Sequence, residues 1–416
     1  MEITVHPSYL KGKVEAPASK SLTQRAIAAG LLAHGTTVIH NPSFCNDSLA
    51  AIRIAEALGA VVATGSKGIT IESGPLTASP VTLHCGESGL ALRMFSPVAA
   101  LLTDHVSLTG EGSLMKRPVK MIGDALSQLG VKVMTSNGFL PVTLNGRLKG
   151  GRAVIDGSTG SQLLTGLLMA LPLADGNSEI EVMGLKSRPY INLTLEMLSG
   201  FGITVENRDF SHFSIPGNQS YRAREYNVEG DWSGAAFLLV AGALAGEVSV
   251  RNLSSRSLQA DRAIMKALSD AGCHLTETAE EVRTEKSDLR AFSFDATDSP
   301  DLFPPLAALA AGCRGISRIK GISRLVQKES DRAGTITAVL GALGIRTAIE
   351  GDEILISGGR AEGATVSSHN DHRIAMMAAV MATVATGGVT IRDAEAVAKS
   401  YPGFFDDLSL IGAAIS

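Results

Sequence analysis

A glycine recurs at a nearly constant interval along this chain, each time after a helical stretch and before a short apolar strand. "ALGAVV", "QLGVKV", "GFGITV", "DAGCHL" and "ALGIRT" place it at Gly59, Gly130, Gly202, Gly272 and Gly344, and "LIGAAIS" adds Gly412. Glycine ends helices because it enters the left-handed conformation without a Cβ penalty. The intervals of 71, 72, 70, 72 and 68 residues therefore divide the chain into six similar units. Units of about 70 residues exceed the ~20–50 residues of solenoid repeats, so each is expected to be a small α/β subdomain.

A second series lies between these glycines. "AHGTTVI", "LTDHVSL", "ADGNSEIEV", "LAGEVSV", "CRGISRI" and "TGGVTI" again join a helix end to a strand. Hairpin signals follow the first series, as in "VVATGSKGITIES" and "RTAIEGDEILISGG". Each unit thus reads as a βαβαββ arrangement. The sixth stops at Ser416 without its return strand, and "EITVHP" at the N-terminus has the character to supply it. The six units then divide as three plus three. One discontinuous domain is expected over residues 1–15 and 228–416, carrying both termini. A second, residues 16–227, is inserted into it, with the active site in the cleft between them.

The unusual polar residues cluster at helix starts. The first series of starts reads "SKSLTQR", "ESGLALR", "TGSQLLT", "DWSGAAF", "SPDLFPP" and "NDHRIAM". The second reads "NDSLAAI", "KRPVKMI", "SRPYINL", "QADRAIM", "KESDRAG" and "KSYPGFF". Lys20, Arg25, Arg93, Arg117, Lys328, Arg332, Arg373 and Lys399 put positive charge there. Cations at a helix N-terminus oppose the dipole, so an anionic ligand is the natural compensation. The net charge of −4 provides no general basic field for nucleic acid, so an anion must be held by this local set.

Each position also has a plain structural reading. Asp301 serves as a cap, Glu329 pairs with Arg332 three residues on, and Asn370 or Asp371 caps the last apolar helix. A repeat scaffold without activity is the rival for the whole chain, but would carry its polar surface on exposed loops or faces. Acidic residues beside the cations (Asp301, Glu329, Asp371) favour chemistry over docking alone. His372 has no Cys or His at ligand spacing and does not read as a metal ligand. No GxxxxGK[ST] or GxGxxG motif occurs. The four cysteines lack CxxC spacing and are expected to be free, buried thiols of a reducing cytoplasm. No segment reads as a signal peptide or a membrane span.

The motifs "SKSLTQRA", "KRPV", "GSTGSQLLTGLLMALPLA", "SRPYINLTLEML", "EGDWSGAAF", "SPDLFPPLAALA", "QKESDR", "NDHRIAM" and "AKSYPGFF" together resemble the 5-enolpyruvylshikimate-3-phosphate (EPSP) synthase family of enolpyruvyl transferases. They occur in the family's order over essentially the whole chain. The resemblance implies two inside-out α/β domains of three units each. It also implies a transferase of the shikimate pathway, serving aromatic amino acid biosynthesis. The reaction is transfer of the enolpyruvyl group of phosphoenolpyruvate to the 5-hydroxyl of shikimate 3-phosphate by addition–elimination, with no metal and no cofactor. A cytoplasmic monomer with small-molecule substrates, and no nucleic acid or membrane partner, is expected.

By the same resemblance, Lys20, Ser21, Arg25, Ser161, Gln162, Ser187, Tyr190, Asp301 and Lys328 bind shikimate 3-phosphate. Lys20, Gly89, Arg117, Gln162, Arg332, Arg373 and Lys399 bind phosphoenolpyruvate. Asp301 is the base for the 5-hydroxyl and Glu329 the acid for the methylene carbon, with Lys20 and His372 completing the catalytic set. The phosphonate glyphosate is expected to compete for the phosphoenolpyruvate site. The related UDP-N-acetylglucosamine transferases carry a Cys in the loop that here reads "EGSLMKRPV". The catalytic His and nucleotide site of the RNA 3′-phosphate cyclase branch have no counterpart that can be placed. Three positions depart from the usual EPSP synthase pattern: "ESGL" at Glu87–Leu90, Gly160 and Arg324.

Overall fold

A computed structural model describes residues 1–65, 68–73, 80–326 and 328–416. The turn of the first hairpin, residues 66–67, lies outside the described residues, as does Gln327 of "QKESDR". The chain divides into two compact units: Met1–Pro17 with Glu229–Ser416, and Ala18–Val228.

Six sheets form among the described residues, and all have one plan. A parallel pair is followed by two antiparallel neighbours. In one, Ser293–Asp295 runs parallel to Ile316–Lys320, which pairs antiparallel with Glu353–Ser357 and then Thr347–Glu350. The parallel pair requires a crossover helix, here Phe303–Gly312, and a second helix, Arg332–Ala342, leads to the hairpin. Among the described residues, twelve α-helices or their leading 3-10 turns begin at the twelve polar segments read from the sequence.

Four strands come from distant sequence. Glu2–His6 completes the last sheet between Val389–Arg392 and Ala414–Ile415, the return strand that "EITVHP" was expected to supply. Leu10–Glu15 lies parallel to Gly246–Arg251, and Tyr221–Arg222 with Glu225–Asn227 runs parallel to Ala33–His40. The sequence reading assigned neither of these closures. Short strands with little alternation give no local sign of a partner 200 residues away.

The six recurring glycines all adopt positive φ, from 78° at Gly344 to 107° at Gly412. The second series is mixed. Gly246 is extended, at φ 175°. It is required there by close approach, because a Cβ would fall 1.8 Å from the Leu10 carbonyl oxygen of the neighbouring strand.

The helices that follow the first strand of each unit are the apolar ones. In Trp232–Ala245 and His372–Ala382 every residue is buried. A helix apolar all round has no face for water and must sit in the interior. Those two helices and Phe303–Gly312 pack on one another in the first unit. Lys20–Leu32, Gly89–Leu102 and Gln162–Ala170 form the corresponding interior of the second. The sheets lie outside, with alternating burial as in Ile316–Lys320. All four cysteines are free and buried, and burial pushes the Cys85 and Cys313 thiols up to about 12. Among the described residues no helix is long and apolar enough to cross a membrane.

Candidate functional site

Putting helices inside and sheets outside brings the first turns of the buried helices together within each unit. In the unit carrying both termini, Arg373 marks the meeting point. It stands second in the helix His372–Ala382. It donates through Nη1 to Ser233 Oγ at the start of Trp232–Ala245, and through Nη2 to Asp301 Oδ2 at 3.1 Å, just before Phe303–Gly312. One guanidinium thus touches the starts of all three buried helices.

Arg332, whose side chain is wholly buried, adds a second guanidinium. It donates to Asp371 Oδ2 through Nε (2.9 Å), to Asp301 Oδ1 through Nη1 (2.9 Å), and to Glu329 through Nη2. Lys328 Nζ lies 3.3 Å from Asp301 Oδ1. Burial alone would lower the Arg332 ionisation, but Asp371, Glu329 and Asp301 outweigh it and raise it. For Lys328 burial dominates, and its ionisation is lowered despite Asp301. Burial opposes the Arg373 charge, yet Asp301 with Asp261 and Asp231 raises its ionisation.

Asp301 is not a cap. It sits in the 3-10 turn Pro300–Leu302 behind Ser299 and binds three cations instead. Glu329 makes the i,i+3 pair with Arg332. Asp371, not Asn370, caps the last buried helix, accepting from Arg373 N at 3.0 Å. Asn370 has left-handed φ, and its carbonyl accepts from Lys399 Nζ at 2.7 Å. Lys399 ends the 3-10 helix Ala394–Lys399 and does not begin a helix. His372 is 1% exposed, its Nδ1 4.0 Å from Asp371 Oδ1.

In the unit Ala18–Val228, Arg25 is the central cation. It donates to Thr194 Oγ1 (3.0 Å), the Ser21 carbonyl (2.9 Å), Thr165 Oγ1 and the Tyr190 carbonyl (each 3.4 Å). All are neutral oxygens. No carboxylate among the described residues hydrogen-bonds to it, and burial lowers the Arg25 ionisation to about 10. A buried guanidinium without a counter-ion is costly unless an anion supplies one. Lys20, at the start of the same helix, pairs with Asp47 Oδ2 at 2.9 Å. Ser161 and Ser187 are buried at the N-cap positions of Gln162–Ala170 and Arg188–Gly200, Ser187 with φ 59°.

Around Gly89 two more guanidiniums converge. A Cβ on Gly89 would lie 2.7 Å from both Arg93 Nη1 and Arg117 Nη1. Arg93 Nη1 donates to the Gly89 carbonyl (3.3 Å) and Gln162 Oε1 (3.1 Å), and Nη2 to the Pro118 carbonyl (3.4 Å). The Arg117 Nε is buried without a hydrogen-bond partner among the described residues. Two residues of this arrangement escaped assignment from the sequence. Arg93 was counted only as a cation at a helix start, and Asp47 lay unremarked in "NDSLAAI". The helix-start pattern held both, but not their partners: Arg93 reaches Gln162 in the next repeat, and Asp47 reaches Lys20 at the start of another helix.

Two clusters of cations at helix starts, the one around Asp301 with three carboxylates gathered on Arg332, suit polyanionic substrates and proton transfer. The comparisons with known proteins agree. The family model for EPSP synthase (3-phosphoshikimate 1-carboxyvinyltransferase) matches residues 5–408. The chain belongs to the EPSP synthase family. It is 37% identical to the 3-phosphoshikimate 1-carboxyvinyltransferase of Clostridium kluyveri over 99% of this chain and 98% of that one. It is likewise 37% identical to the enzyme of that name from Methanosarcina acetivorans, over 100% and 99%. A solved EPSP synthase from Acinetobacter baumannii superposes with a TM-score of 0.84 at 27% identity, covering 100% of this chain and 99% of that one. The enolpyruvyl transferase NikO from Streptomyces tendae shares the fold, with a TM-score of 0.78 at 19% identity over 100% and 98%. An EPSP synthase has two charged substrates to hold.

Proposed function

We propose that this chain transfers the enolpyruvyl group of phosphoenolpyruvate to the 5-hydroxyl of shikimate 3-phosphate, releasing phosphate, in the shikimate pathway of aromatic amino acid biosynthesis. The observation that carries the residue assignments is the convergence of Arg332, Arg373 and Lys328 on Asp301. Arginines already gathered around carboxylates form a site that a phosphate and a second carboxylate can enter by exchange.

In this reading Lys20, Ser21, Arg25, Ser161, Gln162, Ser187, Tyr190 and Lys328 hold shikimate 3-phosphate. Gly89, Arg117, Arg332, Arg373 and Lys399 hold phosphoenolpyruvate, with Lys20 and Gln162 reaching both. Each set draws on both units: Lys328 joins the first set from the unit carrying both termini, and Gly89 and Arg117 join the second from the unit Ala18–Val228. Phosphoenolpyruvate draws Arg332 and Arg373 onto itself and frees Asp301. Asp301 takes the 5-hydroxyl proton as that oxygen bonds to C2, while the double-bond electrons at C3 take a proton from Glu329. The tetrahedral adduct then loses phosphate, and a methyl proton returns to a carboxylate as the double bond re-forms. Two positioned carboxyl groups suit an addition followed by an elimination, and fixed guanidiniums stabilise charge developing on the departing phosphate. His372, buried beside Asp371, keeps the helix start that carries Arg373 in place.

The same reading makes the protein a cytoplasmic monomer, which size-exclusion with light scattering tests. Phosphate release from phosphoenolpyruvate should depend on shikimate 3-phosphate. Release supported by a UDP-sugar and not by shikimate 3-phosphate would overturn it.

A further inference from the structure

Glu87 departs from the usual family residue, and its charge has no obvious place beside two arginines that await an anion. Its position explains it. Glu87 lies in the turn after the strand Val81–His84, two residues before Gly89, and Ser113 lies in the turn after the neighbouring parallel strand His105–Thr109. The backbone joins the two turns once, from Glu111 N to the Gly86 carbonyl at 2.9 Å. The Glu87 side chain joins them again, one step further along, accepting from Ser113 N through Oε2 at 2.8 Å.

Ser113 is the second residue of the 3-10 helix Gly112–Lys116, whose next residue is Arg117. Amides at such a start have no partner within the helix, so the carboxylate takes one that would otherwise be left to solvent. Gly112 is shaped to this contact. Its φ is +55°, and a Cβ there would fall 2.3 Å from Glu87 Oε2. At the far end of the short helix, the Arg117 guanidinium occupies the space a Gly89 side chain would take, Nη1 lying 2.7 Å from where its Cβ would stand. The turn before Gly89 and the turn delivering Arg117 are therefore locked to each other through Glu87.

We infer that Glu87 is a positioning residue for phosphoenolpyruvate: it fixes the turn that sets Arg117 against Gly89. The inference rests on the functional reading above. It requires an acceptor oxygen at position 87 and not a negative charge.

The test compares Glu87→Ala with Glu87→Gln. Alanine should raise the KM for phosphoenolpyruvate up to about tenfold, the scale of one lost hydrogen bond, with kcat and the KM for shikimate 3-phosphate nearly unchanged. Glutamine, which keeps an acceptor, should stay within about threefold of the parent. In an Arg117→Ala background Glu87→Ala should add nothing, since coupled residues are not additive. An unchanged KM in Glu87→Ala, equal losses on both substrates, or full additivity with Arg117→Ala would overturn the inference. Hydrogen exchange at the Ser113 amide checks the contact whatever the reaction: it should quicken in Glu87→Ala, and equal rates would overturn the inference. Parent turnover, assayed alongside, reports separately on the functional reading.

Discussion

Arg332 and Asp371 form a two-pronged ion pair with no exposure of either side chain, Nε to Oδ2 at 2.9 Å and Nη2 to Oδ1 at 3.3 Å. Each begins or caps a helix, so the pair fastens the start of Arg332–Ala342 to the start of His372–Ala382. Removing one partner leaves a buried charge. Asp371→Ala should therefore lose about 3–5 kcal/mol of stability, with up to about 2 kcal/mol more from the missing cap. Urea unfolding checks this, and a loss below about 1 kcal/mol would show that the pair does little for the fold.

Asp301→Asn and Glu329→Gln should each lower kcat by about 10²–10⁴-fold, the usual contribution of a positioned acid or base. Both variants should still bind shikimate 3-phosphate in calorimetry. Normal turnover in either would remove that residue from proton transfer.

Gly89→Ala places a methyl group 2.7 Å from two guanidinium nitrogens. One of them must move, so the KM for phosphoenolpyruvate should rise while shikimate 3-phosphate binding persists. Glyphosate should compete with phosphoenolpyruvate in the parent, raising its apparent KM and leaving the maximal rate alone. Inhibition unaffected by phosphoenolpyruvate would place the inhibitor elsewhere.

Arg25 gives a pH dependence of known sign. Burial lowers its ionisation to about 10 from an ordinary 12.5. A group depressed in this way costs the folded state stability while charged, fully below pH 10, and that cost recedes as pH rises from 10 towards the unfolded value. Binding runs the other way, because an anion needs the charge. Shikimate 3-phosphate affinity should fall as pH passes about 10, and Arg25→Met should remove that limb with most of the affinity. A flat profile to pH 11 in the parent would refute the assignment.

The local chemistry of this chain was legible in its sequence. Regularly spaced glycines end helices because a left-handed residue is cheapest without a Cβ, so six units and their helix starts could be counted directly. Apolar helices such as Trp232–Ala245 had to lie inside. Cations at the helix starts had to face an anion, and the motif order pointed to the family. The sequence could not say which residues meet. Leu10–Glu15 finds its parallel partner more than 200 residues on, and Arg93 finds Gln162 in the next unit. The choice between Asn370 and Asp371 as cap was settled by one left-handed residue, and Asp301 changed from a possible cap to the hub of three cations. Helix ends and periodicities depend on neighbours a few residues apart, whereas pairing and charge partners depend on which helix starts the packed interior brings together. That second kind of information exists only after the chain has folded.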